Sequence, residues 1–311
     1  MGVEVRRYSA EMAGAWNALN RQAAGGHFMF DRGFMDYHAD RFADASLAAF
    51  EDGRLIALLP ANLRDTEAWS HQGLTFGGLV HAGLGAARTL EVLDACAAEL
   101  AAMGATSLIY KALPWIYAAA PAQEDLYWLF RRDAALIRRD VSAAIDYRAR
   151  GRVSSRRERG AKKAAAAGLS FAQSQDWGGF WRLLEGVLAE RHGAAPVHSV
   201  AEIELLAGRF PNEIALFTAA DADGPQAGVV MFRSTLVAHA QYIAAGPKGR
   251  ETGALDGLFE HLIGAHADTH RYFDFGISNT DGGRVLNEGL MRQKEEFGAS
   301  AVVHDFWRVT L

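Results

Sequence analysis

The sequence predicts an α/β protein whose fold is laid out twice along one chain. Three observations lead there. Strand pairs joined by Asp-Gly turns give way to amphipathic helices. The same order of elements returns after 171 residues at the turn, 167 at the helix start and 165 at the following strand. A chain of 311 residues also suits two domains of roughly 100–200 residues each. Shared order without shared identity is a repeat of structure rather than of sequence. The predicted halves are residues 1–147 and 148–311.

In the first half, residues 9–23 form a helix, with Met12, Trp16 and Leu19 at helical spacing and Gly25-Gly26 beyond its end. A short helix then carries Phe34 and Tyr37. Residues 46–50 and 55–63 are strands joined at Asp52-Gly53, a strong hairpin pair. A glycine-rich stretch covers 70–78. Residues 86–103 form a helix with Leu90, Leu93, Ala97 and Leu100 on one face, capped by Gly104. Residues 107–111 are a strand.

Two helices come before the second hairpin. Residues 176–192 place Trp177, Phe180, Trp181, Leu184 and Leu188 on one side, with Gly193 past the end. Ser199-Val200-Ala201-Glu202 is a capping box that opens the other. Strands 213–219 and 228–234 are joined across Asp223-Gly224, and 237–245 is a third strand. Residues 246–252 read as a glycine-containing loop. A helix over 253–268 follows, with Leu255, Leu258, Phe259, Leu262 and Ile263 on one face. Then come a strand at 272–277, a helix at 282–297 and a last strand at 301–309.

Composition narrows the function classes. Half of the residues are hydrophobic and 22% are charged, which excludes extensive disorder. Net charge is −5, so neither a globally basic nucleic-acid binder nor a DNA partner is expected. A single cysteine, Cys96, allows no internal disulfide and no cysteine-based zinc site. The charged N-terminus and the lack of a roughly 20-residue apolar run predict a soluble, cytoplasmic protein with no membrane span. His266 and His270 lack the Glu of a His-Glu-x-x-His motif. They read as exposed residues at a helix C-terminus, and no metal is expected.

The sharpest local feature is the strand–loop–helix around residues 242–258. Glycines at Gly246, Gly249 and Gly253 let backbone N–H groups turn toward a ligand. Lys248 and Arg250 add charge, and the helix start adds its partial positive end. Such a set either holds a pyrophosphate or forms a plain capped loop.

A hairpin, a third strand, a basic glycine loop, a helix and a strand together resemble the core of the GNAT acyltransferases. That family's loop reads Arg/Gln-x-x-Gly-x-Gly/Ala. Arg250-Glu251-Thr252-Gly253-Ala254-Leu255 matches its first part and has Leu255 at the final small position. The wider pattern resembles the FemAB-like, tandem-GNAT branch. It is carried by Tyr272-Phe273-Asp274-Phe275-Gly276-Ile277-Ser278, Leu286-Asn287-Glu288-Gly289-Leu290 and Gln293-Lys294-Glu295-Glu296-Phe297-Gly298-Ala299. Pro196-Val197-His198-Ser199, Arg156-Arg157 and Lys162-Lys163 also look like that branch.

The resemblance implies two tandem GNAT-like halves, with mixed, mostly antiparallel sheets flanked by helices, around a shared cleft. It implies an N-acyltransferase that moves an acyl group from acyl-CoA, foremost acetyl-CoA, to an amine. The acceptor would be a small molecule or a cell-envelope precursor. An aminoacyl-tRNA-dependent Fem-type ligase is the alternative, as is a non-catalytic binding protein on a degenerate GNAT scaffold. Gly246, Lys248, Gly249, Arg250, Gly253 and Ala254 would hold the donor. Asp274 and Glu288 would accept protons, and Lys294 would neutralise an oxyanion or a donor phosphate. His71, Gln72, His239 and Asn287 would meet the acceptor, and His239 is also a possible proton acceptor. Residues 282–297 contain no tyrosine, so no general acid is assigned. Residues 80–85 lack Lys and Arg, so the first half is expected to shape the acceptor cleft without a donor site of its own.

The basic residues concentrate at one place. Between Arg148 and Lys163, eight Lys and Arg stand against Glu158 alone. They either meet phosphates, including those of a tRNA, or line the solvated face of a linking helix. No sustained heptads mark the coiled-coil arm that tRNA-using Fem enzymes often carry, which disfavours that donor.

Overall fold

The computed structural model describes residues 2–192 and 195–311. Gly193, expected to end a helix, lies outside them. The chain forms two compact units. Unit 1 runs to Asp140 and adds Asn279–Val285 and Val303–Leu311, while unit 2 comprises Val141–Ser278 and Leu286–Val302.

Unit 1 contains β1 (Glu4–Arg7), α1 (Ala13–Gln22), α2 (Arg32–Met35), β2 (Ala43–Asp44), β3 (Leu47–Glu51) and β4 (Arg54–Leu59). β5 (Asn62–Arg64), β6 (Glu67–Trp69), β7 (Val80–His81), α3 (Ala86–Ala102), β8 (Ser107–Lys111) and α4 (Glu124–Arg131) follow, and then β9 (Ala135–Asp146) begins. One sheet has the order β1-β3-β4-β7, all antiparallel. The hairpin between β3 and β4 turns where expected: Asp52 and Gly53 have φ of 49° and 78°, the left-handed pair a tight hairpin needs. α3 packs on β1 and β3. Its Leu93, Cys96, Ala97 and Leu100 share a core with Leu47, Ala57 and Leu59. Burial pushes the Cys96 thiol up to about 12.

Unit 2 takes the end of β9 and then α5 (Ser155–Ala166), β10 (Ser170–Ser174), α6 (Trp177–His192) and α7 (Val200–Arg209). Next come β11 (Ile214–Asp221), β12 (Gly224–Arg233), β13 (Val237–Ala245), α8 (Pro247–Thr252), α9 (Ala254–His266) and β14 (Tyr272–Ile277). The chain passes through β15 (Asn279–Thr280) and β16 (Val285–Leu286) to α10 (Glu288–Glu295) and β17 (Ser300–Thr310). The sheet of this unit has the order β10-β11-β12-β13-β14-β9, antiparallel except where β13 meets β14.

Alternation along β12 gives this sheet two covered faces. Ala227, Val229 and Met231 join the core of α9 with Leu258, Phe259, Leu262, Phe273 and Phe297. Gly228, facing the other way, lies against Phe180 of α6; a Cβ there would come within 2.4 Å of that ring.

Three sequence expectations change. Residues 247–252 form the short helix α8 rather than a loop, because Pro247 occupies its first turn, where a missing N–H costs nothing. The helix expected over 282–297 is confined to α10. Asp281, Gly282 and Gly283 have φ of 49°, 56° and 91°, which a right-handed helix cannot contain. His266 is buried rather than exposed, and its Nδ1 lies 2.8 Å from the Leu262 carbonyl. Among the described residues no helix is long and apolar enough to cross a membrane.

Candidate active site

The candidate site lies where two parallel strands stop pairing. β13 and β14 share only Val237↔Tyr272, Ala238↔Phe273 and His239↔Asp274. Just beyond, β13 bulges: Met231 of β12 pairs with Ala240 and Val230 with Tyr242, which leaves Gln241 between them. β14 breaks register with β9 after Asp274 and regains it at Ile277↔Ser142. Gly276, with φ of 80°, makes that kink. Both strands therefore deform immediately past the His239–Asp274 pair.

Asp274 is fully buried. Its Oδ1 accepts from the Ser142 hydroxyl and from the Gly276 N–H at 3.0 Å. Its Oδ2 lies 2.9 Å from Nδ1 of His239. These donors offset the carboxylate's loss of water. The geometry also fixes the imidazole: with Nδ1–H donated to the carboxylate, the lone pair of a neutral ring sits on Nε2. A carboxylate-oriented histidine of this kind can take a proton from an amine.

Lys294 is buried on α10. Its Nζ donates to the Gly276 carbonyl at 2.7 Å, the Ile277 carbonyl at 2.7 Å and the Ser278 hydroxyl at 2.8 Å. All three ammonium protons are thereby used. Burial lowers its pKa to about 8, with nearby Asp274 opposing the shift. In this arrangement Lys294 holds the kink next to Asp274. Reaching an oxyanion would require it to exchange a partner.

The expected donor segment lies at the far end of β13. Gly253, with φ of 76°, ends α8 and starts α9. A Cβ on it would come within 2.7 Å of the Gly160 carbonyl, so α5 runs against the start of α9. Gly249 similarly packs on the Gln226 carbonyl. Arg250 donates from Nη1 to the Ala245 carbonyl at 2.9 Å. Lys248 is engaged elsewhere, at 2.8 Å from Asp221 and 2.6 Å from Asp223. Ala254 is buried in the first turn of α9.

Other expected residues fall in different settings. Asn287 caps α10, accepting from the Leu290 N–H at 3.0 Å. Glu288 is exposed in the first turn of that helix. His71 and Gln72 belong to unit 1. His71 is buried, stacks on His38, and is pushed down to about 3 by that burial. Gln72 accepts from the Asn62 amide at 2.8 Å. Thus Asp274, His239 and Lys294 come together within unit 2, while Asn287 and Glu288 stand at the head of α10.

Sequence reasoning missed three participants. Ser142 lies on β9, a strand not anticipated. Gln241 becomes visible only through the bulge. Tyr242 meets His198 at Nδ1, and Trp181 donates to the His198 carbonyl at 3.0 Å. The Pro-Val-His-Ser stretch marked His198 without naming its partner.

Residues 148–281 match the family model described as an acetyltransferase (GNAT) domain. No curated protein matches the chain in sequence. Among solved structures, FemX is similar with a TM-score of 0.68 at 11% identity, covering 97% of this chain and 96% of its own. L-PGS from Bacillus licheniformis is similar at 0.62 and 11%, covering 98% and 93%. A tandem GNAT protein from the clavulanic acid biosynthesis pathway follows at 0.54 and 14%, covering 99% and 98%. The chain thus shares the fold of these structures over almost its whole length. The match to the acetyltransferase (GNAT) domain is confined to residues 148–281.

Proposed function

We propose that the protein is an N-acyltransferase that moves an acyl group from acyl-CoA, foremost acetyl-CoA, to the amine of a small molecule or cell-envelope precursor. The observation that carries this reading is the buried Asp274–His239 pair where β13 and β14 part. His239 Nε2 takes a proton from the incoming ammonium. The freed amine attacks the thioester carbonyl, a C–N bond forms, and the adduct gives its second proton to water. Collapse breaks the C–S bond and releases the thiolate. Backbone N–H groups freed by the bulge at Gln241 serve as the oxyanion donors in this reading. The donor pyrophosphate rests at the start of α9, on Gly253 and Ala254, with Arg250 beside it and Gly246, Lys248 and Gly249 shaping α8. Lys294 acts by holding the kink at Gly276–Ser278. Asn287 and Glu288 contact the acceptor from the head of α10.

The test is calorimetry with acetyl-CoA and desulfo-CoA, followed by an amine screen. Micromolar binding that weakens at least tenfold in Arg250→Ala supports the donor site. Loss of turnover with intact CoA binding in His239→Ala supports the base. Absence of binding to any CoA species overturns the donor assignment.

One observation favours a second reading, an aminoacyl-tRNA donor. Arg156, Arg159 and Lys163 are exposed and spaced by three and four residues, a stripe along α5, and Arg152 is exposed just before that helix. Similar structures include FemX and L-PGS. Under this reading charged tRNA binds with a steep salt dependence, and the stripe's removal flattens the slope by about one unit per lost phosphate contact.

A further inference from the structure

Unit 1 carries an arginine-lined groove that the acyl-transfer chemistry leaves unused. Its volume is about 130 Å³, and it is lined by Leu136, Ile137, Arg138, Arg139, Gly282, Gly283 and Arg284. Two of its guanidinium groups are held rigidly from behind. Arg138 uses Nε and Nη2 on Asp140, at 2.9 and 2.7 Å. Arg139 uses Nε and Nη2 on Asp305, at 2.6 and 2.7 Å. Each thus spends one edge of its fork on a carboxylate and keeps Nη1 without a partner among the described residues. Asp140 is itself buried and also accepts from Asn279 at 2.8 Å, so its charge is committed. Arg138 lies over the Phe306 ring at 4.6 Å, which fixes its plane.

The third cation is different. Arg284 is exposed and has no ion pair among the described residues. It follows the left-handed turn at Asp281, Gly282 and Gly283. That turn is clamped to β9, because a Cβ on Gly283 would come within 2.2 Å of the Arg139 carbonyl. The groove therefore presents two pre-oriented guanidinium edges and one uncommitted charge, beside an apolar wall made by Leu136 and Ile137.

We infer that this groove binds an oxyanion, a phosphate or carboxylate group carried by a small organic molecule. Planar guanidinium forks suit such groups, and fixing them in advance lowers the entropic cost of binding. One water needs about 10–15 Å³ on the same measure, so the groove admits a tetrahedral oxyanion with part of what bears it. The inference is independent of the acyl donor.

The test is calorimetric titration of the full chain with inorganic phosphate and acetate, since pyrophosphate would also enter the proposed donor segment. Binding of at least one of these at a single site is expected, and comparing phosphate with acetate identifies the preferred group. Arg284→Gln should weaken that binding at least tenfold, with an unchanged circular dichroism spectrum because the side chain is exposed. Arg284→Lys should restore part of it. Arg250→Ala, in the donor segment, should leave it unchanged. Absence of binding, equal binding by Arg284→Gln, or loss confined to Arg250→Ala would overturn the inference.

Discussion

At Asp274 a single side chain joins three strands: its own β14, β13 through His239, and β9 through Ser142. Asp274→Asn keeps the shape and turns one acceptor into an amide donor. Nδ1–H of His239 would then face a weaker partner, and the ring would no longer be held in the tautomer that leaves Nε2 free. A rate loss of about 10²–10⁴-fold is expected, the usual worth of a positioned base. CoA binding measured by calorimetry should not change. A variant that lost both together would show Asp274 to be structural.

Lys294 permits a prediction with a sign. Its folded pKa of about 8 lies below its ordinary value of 10.5. Between these values the unfolded chain binds more protons than the folded one, so this group makes stability rise with pH from about 8 to 10.5. Below pH 8 the penalty of burying the ammonium is fully present. Lys294→Met removes this dependence and leaves two carbonyls and the Ser278 hydroxyl without their donor. Denaturant melts should show a loss of about 1–3 kcal/mol at pH 7 and a flatter pH profile above pH 8.

Among the elements, the junction of α8, α9 and α5 is most sensitive. Gly253→Ala imposes a left-handed φ on a residue with a Cβ and drives that Cβ toward the Gly160 carbonyl. A cost of about 1–3 kcal/mol is expected. For a unit of this size each kcal/mol lowers Tm by about 2–4 °C. Arg157 holds α5 to its neighbours, pairing with Asp256 of α9 and with Glu296 at 2.7 Å. Arg157→Leu would strand Asp256 and leave Glu296 with Arg156 at 3.7 Å, and a loss of about 3 kcal/mol is expected in the same melts.

Legibility in the sequence differed by element for physical reasons. β13 and β14 were readable to the residue because apolar runs with turn signals on both sides mark buried strands. The Asp52-Gly53 hairpin was equally plain, whereas in the second hairpin Asp221 pairs with Gly224, so the turn is Ala222-Asp223 and β12 begins at Gly224, ahead of the expected 228. β9 was not: Arg138, Arg139 and Asp140 interrupt its alternation, and their side chains are stabilised by ion pairs that no local pattern announces. Asp274 could be singled out between Phe273 and Phe275, but its histidine partner lies 35 positions away. Lys294 looked like an ordinary helix lysine because its three acceptors are created by a kink in another element.

For the whole molecule, the division into units has a consequence for dissection. Residues 148–281 carry the recognised domain but omit the end of β9, α10 and the start of β17, all of which belong to unit 2. A fragment limited to 148–281 would expose the edge of β14 that β9 covers and would lose Phe297 from the core. It should express as aggregate, or lack the sharp thermal transition of the full chain. A soluble, cooperatively melting fragment would show that these additions are dispensable.

The solitary buried thiol makes the chain a ready instrument. Cys96 sits inside α3's apolar face with its thiolate strongly disfavoured, so disulfide-exchange reagents should stay silent while unit 1 is closed. The rate at which such a reagent titrates the native protein therefore clocks the opening of that unit alone. A cysteine introduced at an exposed position, Glu288 for instance, would be the fast-reacting handle for a fluorophore or spin label. No background thiol would first need to be removed.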